Sequence, residues 1–264
     1  AFTEFYEQAD LHQTGWFDRV TLNILNTDGR RYLRSGLHRY DLIVLPLTGA
    51  LGAGSSLFSS GEDYRFTVEA IRNYYDSLTE GGFLTVSRYL QAAPTEAIKL
   101  PLTLIEALED QSDLPGSMFA IGGWSTWTAL LKKGTLDQYE LMAMRQFCTD
   151  NNFDLVYYPG ITEAEANRYN RFAEPVYYRI WQNLFDEKAR SNMTGQYMFR
   201  VTPATDDAPF YHNYFSWNRL SQIMTGTSGN WRILIHGGFL MPIILFQSIL
   251  LSFIFILLPV WLRK

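Results

Sequence analysis

The residues best suited to chemistry in this chain are acids, because carboxylates bind amino and hydroxyl groups, hold metals and move protons. Asp28 stands in an Asp-Gly turn after the β-branched run Val20 to Ile24. Asp206 and Asp207 precede His212, and two acids with an imidazole are suitable ligands for a metal or a proton relay. Each has a structural alternative, since Asp satisfies backbone N–H groups in turns. No third ligand is spaced nearby, so we expect a structural lock at this acid pair and no metal site.

The elements around Asp28 predict an α/β fold. The run at 20–24 reads as a strand, the Asp-Gly turn leads into a short helix, and Leu42 to Leu47 reads as the next strand. A loop with Gly49, Gly52 and Gly54 follows. Ligands of such sheets bind off the carboxyl ends of the strands, where this loop and Asp28 both project. The glycine spacing does not fit a phosphate-binding loop, and a mobile loop is the better interpretation.

The next segment predicts a helix followed by a strand. Ser60 and Asp63 make a capping-box pattern, and an apolar face with helical spacing follows at 71, 74, 75 and 78. Gly81-Gly82 is expected to end that helix before a strand at 83–89. Further along we expect a helix at 95–109, strands at 117–121 and 128–131, and a helix that Thr135 with Gln138 caps and that extends to about Asn151. A strand at 154–158 and interrupted helix from Thr162 to 196 follow.

The order of short motifs around Asp28 resembles the spermidine and spermine synthases. These motifs are Asp28-Gly29-Arg30, Tyr32-Leu33 and Tyr40-Asp41-Leu42-Ile43-Val44. That family has the class I S-adenosylmethionine methyltransferase fold, in which the acid of the Asp-Gly turn contacts the adenine of the nucleoside cofactor. The resemblance therefore implies cofactor binding by Asp28 and Gly29, with S-adenosylmethionine or its decarboxylated form as the cofactor.

The catalytic base of that family is missing at its expected place. In true synthases the strand after the Tyr-Asp motif ends with the acid that deprotonates the amine substrate. Here Leu45-Pro46-Leu47 occupies that place, and no carboxylate follows before Glu62. Either Glu62 or Asp63 is a possible replacement, although a capping role suits Asp63 better. The catalytic residues therefore stay unassigned.

A second motif narrows the resemblance to one group of membrane proteins. Thr205-Asp206-Asp207-Ala208-Pro209-Phe210 resembles the motif that ends the spermidine synthase-like domain of large bacterial integral membrane proteins. The resemblance covers the chain to about residue 220. The Gly-rich turn and the acid that open such a fold do not precede Asp28. We therefore expect a partial Rossmann-like methyltransferase fold, in a fragment of a longer protein that lacks the N-terminal half of the domain.

The end of the chain predicts a transmembrane helix. Residues 233–262 include no charged side chain, and about 20 apolar residues are enough to cross a bilayer. We expect a spermidine synthase-like domain at 1–220, a linker at 221–232 and the span at 233–262. Charge does not orient the span, because Arg219 and Arg232 on one side balance Arg263 and Lys264 on the other. Adenosyl cofactors are made in the cytoplasm, which favours an integral protein of the bacterial inner membrane with a cytoplasmic domain.

Composition excludes some classes of partner. A net charge of -5 argues against nucleic acid, whose phosphates select basic surfaces. The lone Cys148 has no neighbour with metal-ligand spacing and is expected to be a packed thiol. Expected partners are membrane lipid, a small amine substrate and further transmembrane helices of the parent protein.

Two functions stay open at this point. The first is a membrane-anchored transferase of the aminopropyl or methyl type that uses an S-adenosylmethionine-type nucleoside. The second is a non-catalytic nucleoside-binding or structural domain of a polytopic membrane protein. The absent base counts against aminopropyl transfer, whereas methyl transfer does not always need a base.

Overall fold

A computed structural model describes residues 23–47, 61–91, 93–222 and 240–262. Several predicted features lie outside these ranges: residues 20–22 of the first expected strand, the glycine loop at 49–54, Ser60, and residues 233–239 of the expected span. Residues 23 and 24 are described and form no strand.

The described residues form a mixed α/β fold around one five-stranded sheet with the order β1-β2-β4-β3-β5. Strands β1 and β2 are parallel, and the other neighbouring pairs are antiparallel. The α/β class is thus confirmed. The strands are β1 (Tyr40–Leu45), β2 (Leu78–Tyr89), β3 (Met118–Gly122), β4 (Thr126–Lys132) and β5 (Asp154–Tyr157).

Helices connect and cover these strands. Helix α2 (Val68–Asp76) connects the parallel strands β1 and β2, and Thr67 caps it by accepting a hydrogen bond from the Ala70 N–H. The predicted cap of α4 (Gln138–Asp150), Thr135 with Gln138, was wrong, because Asp137 and Glu140 form the complete capping box at the start of this helix. The helices are α1 (Gly29–Arg34), α2 (Val68–Asp76), α3 (Thr95–Ala107), α4 (Gln138–Asp150), α5 (Val176–Leu184), α6 (Glu187–Gln196), α7 (Leu240–Ser252) and α8 (Leu258–Leu262), with a π-helical segment Phe253–Leu257 between the last two.

The predicted boundary between α2 and β2 was wrong. Leu78 is the first residue of β2, and the glycine pair lies inside this strand. The Gly81 N–H donates to the Lys133 carbonyl at 2.9 Å, and the Lys133 N–H donates to the Gly82 carbonyl at 2.8 Å. Gly81 has a φ of 79°, which a glycine adopts without strain. Pairing between distant segments therefore overrides the local signal for a break.

The expected helix after Thr162 was also wrong, although its capping box forms. The box closes only the short 3-10 turn Glu163–Glu165. Beyond it, the buried carboxylate of Asp154 accepts hydrogen bonds from three successive backbone N–H groups, of Arg168, Tyr169 and Asn170, at 2.5, 2.8 and 2.7 Å. This long-range contact holds the segment in a loop, and helix resumes only at α5.

The core lies between the sheet and helices α2, α3 and α5. Trp181 of α5 is fully buried, with its ring 6.2 Å from that of Trp127 on β4 and 5.3 Å from that of Tyr157 on β5. Helix α3 is buried on nearly every side, including its charged residues Glu96 and Lys99. The sheet covers only one side of α3, and the chain after α6 covers another side. There the rings of Tyr211 and Tyr214 contact the ammonium group of Lys99.

The C-terminal helical segment, Pro242–Leu262, is long and apolar enough to span a membrane. It has 21 residues and a mean hydropathy of 2.6, and none of it is buried against the rest of the chain. An unburied apolar surface of this extent is stable in lipid rather than in water.

Substituting Trp181→Ala should lower the free energy of unfolding by about 3–5 kcal/mol, because the substitution leaves a cavity among Trp127, Tyr157 and Phe185. Trp124→Ala is the matched control, since Trp124 is 88% exposed. Denaturant titration followed by circular dichroism would measure both variants. Equal effects would contradict the assigned core.

Candidate functional site

Asp28 is exposed and caps its own helix. Its Oδ1 accepts a hydrogen bond from the Arg31 N–H at 2.8 Å, which is the standard N-cap contact of α1. Its Oδ2 accepts no hydrogen bond from any described residue. Gly29 follows as the first residue of α1, with no atom within 4 Å of the place where a Cβ would lie. The turn therefore has a local structural use and keeps one carboxylate oxygen for a ligand.

Arg30 ties this turn to the distant acid motif. Its Nη1 and Nη2 donate to the two carboxylate oxygens of Asp206, each at 2.7 Å. Thr67 donates to Asp206 Oδ1 at 2.7 Å, and the Asp206 N–H donates to Glu69 at 2.9 Å. Bidentate arginine–carboxylate pairs are short, directional and strong. We call Arg30, Thr67, Glu69 and Asp206 the Arg30–Asp206 clamp.

The clamp lies where α2 begins, at the carboxyl end of the parallel strand β1. Arg30 also donates to the carbonyl of Tyr64, at 3.2 Å, just before the helix. Hydrogen bonds from Arg30 and Thr67 lower the pKa of Asp206. The predicted structural lock is thus present at Asp206, whereas the adjacent Asp207 is exposed.

His212 does not join the acid pair and instead contacts two other carboxylates. Its Nε2 lies 3.4 Å from Asp63 Oδ2, and its Nδ1 lies 3.4 Å from Glu96 Oε1. Among the described residues, no three His, Cys, Asp or Glu side chains are grouped as metal ligands. The local sequence pattern therefore pointed to the wrong partners for His212.

Glu96 is the centre of a buried charged cluster. Arg88 donates to both of its carboxylate oxygens, at 2.5 and 2.8 Å, and Tyr214 donates to Oε1 at 3.1 Å. Asp63 pairs with Arg65 at 2.7 Å. We call Asp63, Arg88, Glu96, Lys99, His212 and Tyr214 the His212 cluster.

Burial and charge pairing set the protonation states in this cluster. Burial alone would raise the pKa of Glu96, but His212 and Arg88 outweigh it and lower that pKa far below its usual value. The pKa of Asp63 is lowered in the same way by His212 and Arg65, against burial. Burial lowers the pKa of His212, whereas contacts with Asp63 and Glu96 raise it, and the contacts prevail. In this cluster the two carboxylates and the imidazole favour each other's charged forms, and the carboxylates bind protons poorly.

Lys99 lies beside these groups in a different environment. Its ammonium lies 5.2 Å from the centre of the Tyr211 ring and 5.5 Å from that of Tyr214. Burial, followed by repulsion from Arg200, lowers the pKa of Lys99 to about 7. The two rings favour the ammonium form through their quadrupoles. An amine with this pKa exchanges protons readily at neutral pH, although 2% exposure closes it to solvent.

The structure brings together residues that sequence patterns did not associate. Asp63 was expected as a helix cap, and it does accept the Arg65 N–H at 3.1 Å, but it also faces His212. Arg88, Glu96 and Lys99 were not predicted as site residues. A signal for two of them exists, because Glu96 and Lys99 flank or lie within the apolar run Ala97-Ile98 and Leu100-Pro101-Leu102. The end of β1, Leu45 with Pro46, provides no acid.

Comparison with protein-family models, with curated proteins and with solved structures gives no match for this chain. The class of protein that the described residues define is a mixed α/β domain followed by one helix that is apolar enough to span a membrane.

Asp206→Asn should lower the free energy of unfolding by about 1–2 kcal/mol, because the partly buried Arg30 loses its ionised partner. Asp207→Asn makes the same chemical change at the exposed neighbour and should stay within about 0.5 kcal/mol of the wild type. Denaturant titration compares the two. Equal losses would contradict the clamp.

Stability should depend on pH through His212. A raised pKa in the folded state contributes stability that is fully present below the unfolded value of about 6.5 and is lost as pH rises through the folded pKa. The advantage of the wild type over His212→Gln should therefore be largest below pH 6.5 and shrink above it. Unfolding titrations between pH 5 and pH 9 measure this difference, with the exposed His38→Gln as control. An advantage that grows with pH would refute the assigned contacts.

Proposed function

We propose that this chain is a membrane-anchored spermidine synthase-like domain of the transferase class, which binds an S-adenosylmethionine-type nucleoside at the carboxyl end of β1. The observation that carries the proposal is the Arg30–Asp206 pair, with both N–O distances at 2.7 Å. It joins the two motifs on which the resemblance rests, although they lie 176 residues apart in sequence. Two independent matches thus belong to one place in the fold.

The surroundings of Asp28 support the nucleoside. Arg30 fixes the start of α1 beside the start of α2, which places Asp28 near the end of β1 where ligands of parallel sheets bind. The carboxylate oxygen Oδ2 is exposed and is able to accept a hydrogen bond from the amino group of adenine. The missing side chain of Gly29 leaves space beside it. When bound, S-adenosylmethionine would supply an activated methyl group, and its decarboxylated form would supply an activated aminopropyl group.

Aminopropyl transfer is the less favoured chemistry. The apolar residues Leu45 and Pro46 end β1 where the family has its base. Asp63 and Glu96 are ion-paired with Arg65 and Arg88, which leaves neither carboxylate well suited to take a proton from an amine. Methyl transfer to an acceptor that is already nucleophilic needs no such base.

The same pairing supports a second candidate function, a non-catalytic nucleoside-binding domain. In this case the His212 cluster would serve only to hold the C-terminal segment over α3. The closed state of Glu96 and Lys99, each about 97–98% buried, is the observation that favours it.

The span supports the membrane anchor and its location. Within the described part of the chain its apolar surface has no protein cover, which supports insertion of Pro242–Leu262 in a membrane. The bacterial inner membrane is what the resemblance to the large bacterial membrane proteins implies. Adenosyl nucleosides are made in the cytoplasm, which favours a cytoplasmic α/β domain. A small amine would then be the acceptor in the cytoplasm, and further transmembrane helices of the parent protein would be the partners of the span within the bilayer.

Calorimetry on the full-length protein in lipid nanodiscs tests nucleoside binding, with S-adenosylmethionine and its decarboxylated form as ligands. Asp28→Asn should weaken binding about tenfold through loss of a charged acceptor, yet keep the helix cap, because Asn caps as well as Asp. Asp76→Asn, an exposed acid on α2, should bind like the wild type.

Product assays then separate the two candidate functions. Transfer to putrescine or another small amine would establish a transferase, and binding without any product would establish the non-catalytic domain. No binding of either nucleoside would refute the nucleoside-binding role and leave only a structural one.

A further inference from the structure

A second polar site lies in a cleft of about 690 Å³ between α6 and the chain that follows it. It adjoins the His212 cluster at Arg200, whose backbone N–H donates to the Tyr214 carbonyl at 2.9 Å. Three arginines line this cleft: Arg190 from α6, Arg200, and Arg219 from the last described turn before the span. Among the described residues that line it, Glu187 is the one acid. The cleft is therefore locally basic in a chain whose net charge is -5.

Contacts with neutral oxygens orient the three guanidinium groups. Arg190 donates to the Leu184 carbonyl at 3.0 Å, Arg200 donates to the Thr202 hydroxyl at 3.2 Å, and Arg219 donates to the Tyr197 carbonyl. Within the described ranges, none of the three lies within ion-pair distance of a carboxylate. Each guanidinium carries five N–H donors, so several on each remain for a ligand.

Other lining groups suit an anion with several oxygens. The hydroxyl-bearing residues Ser191, Thr194 and Ser216 and the amide of Asn218 line the same cleft. Planar guanidinium groups match the geometry of phosphate oxygens. Three such cations in one cleft favour binding of a negatively charged group over a neutral one. A cleft with three arginines and one glutamate has a net positive lining, which attracts anions electrostatically.

We propose that the Arg190, Arg200 and Arg219 cleft binds a phosphate group. Two sources have this chemistry: the headgroup of an anionic phospholipid and a soluble phosphate. The surroundings favour the lipid, because Trp217 beside the cleft is 67% exposed and Leu220 is 36% exposed, on the segment that leads to the span. Exposed tryptophan is typical of the membrane interface, and basic groups close to a span attract anionic headgroups. The site is independent of the proposed nucleoside function.

Native mass spectrometry of the full chain in detergent tests this site by counting bound phosphatidylglycerol, with phosphatidylcholine and inorganic phosphate titrated separately. Arg200→Gln is the main variant, because Arg200 is exposed and its loss leaves the fold intact. Arg190→Gln and Arg219→Gln also remove a contact to the backbone. Each should weaken phosphatidylglycerol binding about tenfold, the effect of losing one charged hydrogen bond.

Arg171→Gln, which removes the same charge at an exposed position outside the cleft, is the matched control and should bind like the wild type. Arginine-dependent binding of phosphatidylglycerol would identify a lipid site. Arginine-dependent binding of inorganic phosphate alone would identify a soluble ligand. Binding that is equal in the wild type and Arg200→Gln, or binding of neither ligand, would overturn the proposal.

Discussion

The Arg30–Asp206 pair is the interaction on which the rest of the described domain depends. It attaches the chain that follows α6 to the start of α2, and the Asp63 N–H donates to the Pro209 carbonyl at 2.7 Å beside it. With this segment in place, Tyr211 and Tyr214 cover α3, which the sheet alone leaves uncovered. A bidentate pair suits this use, because its two parallel hydrogen bonds fix direction as well as distance.

The buried charges follow from that arrangement. Isolated charges in a protein interior are strongly unfavourable, so Glu96 and Arg88 are stable only as partners, with Tyr214 and His212 completing their hydrogen bonds. Such a cluster contributes little net stability compared with apolar packing. Its value is specificity, because it forms only when β2, α3 and the C-terminal segment take their correct places. The cluster thus joins β2, α3 and the C-terminal segment through charged contacts.

Local patterns were sufficient where local forces decide the structure. The apolar spacing of Ile71, Tyr74 and Tyr75 predicts α2, and the apolar runs predict β1, β3, β4 and β5 within two residues of their bounds. Patterns failed where distant contacts compete, as at Gly81, which β4 holds in a strand, and at Asp154, which captures three N–H groups that the expected helix would have used. For the site, the turn Asp28-Gly29-Arg30 and the acid at Asp206 were visible as motifs, but the pairing of Arg30 with Asp206 was not.

The sequence by itself determined the α/β class and the apolar C-terminal helix, because both follow from how apolar and polar residues alternate and divide between water and an apolar environment. The absence of an acid after β1 is read directly from the sequence. Only the tertiary structure decided which charges meet. His212 follows Asp206 and Asp207 closely in the chain, yet it faces Asp63 and Glu96, while Asp206 faces Arg30. The three arginines of the cleft likewise come from separate segments. Charge pairing depends on the distance between the charged groups in space. Because the chain passes through the sheet several times, residues far apart in sequence lie close together and near neighbours in sequence face different partners.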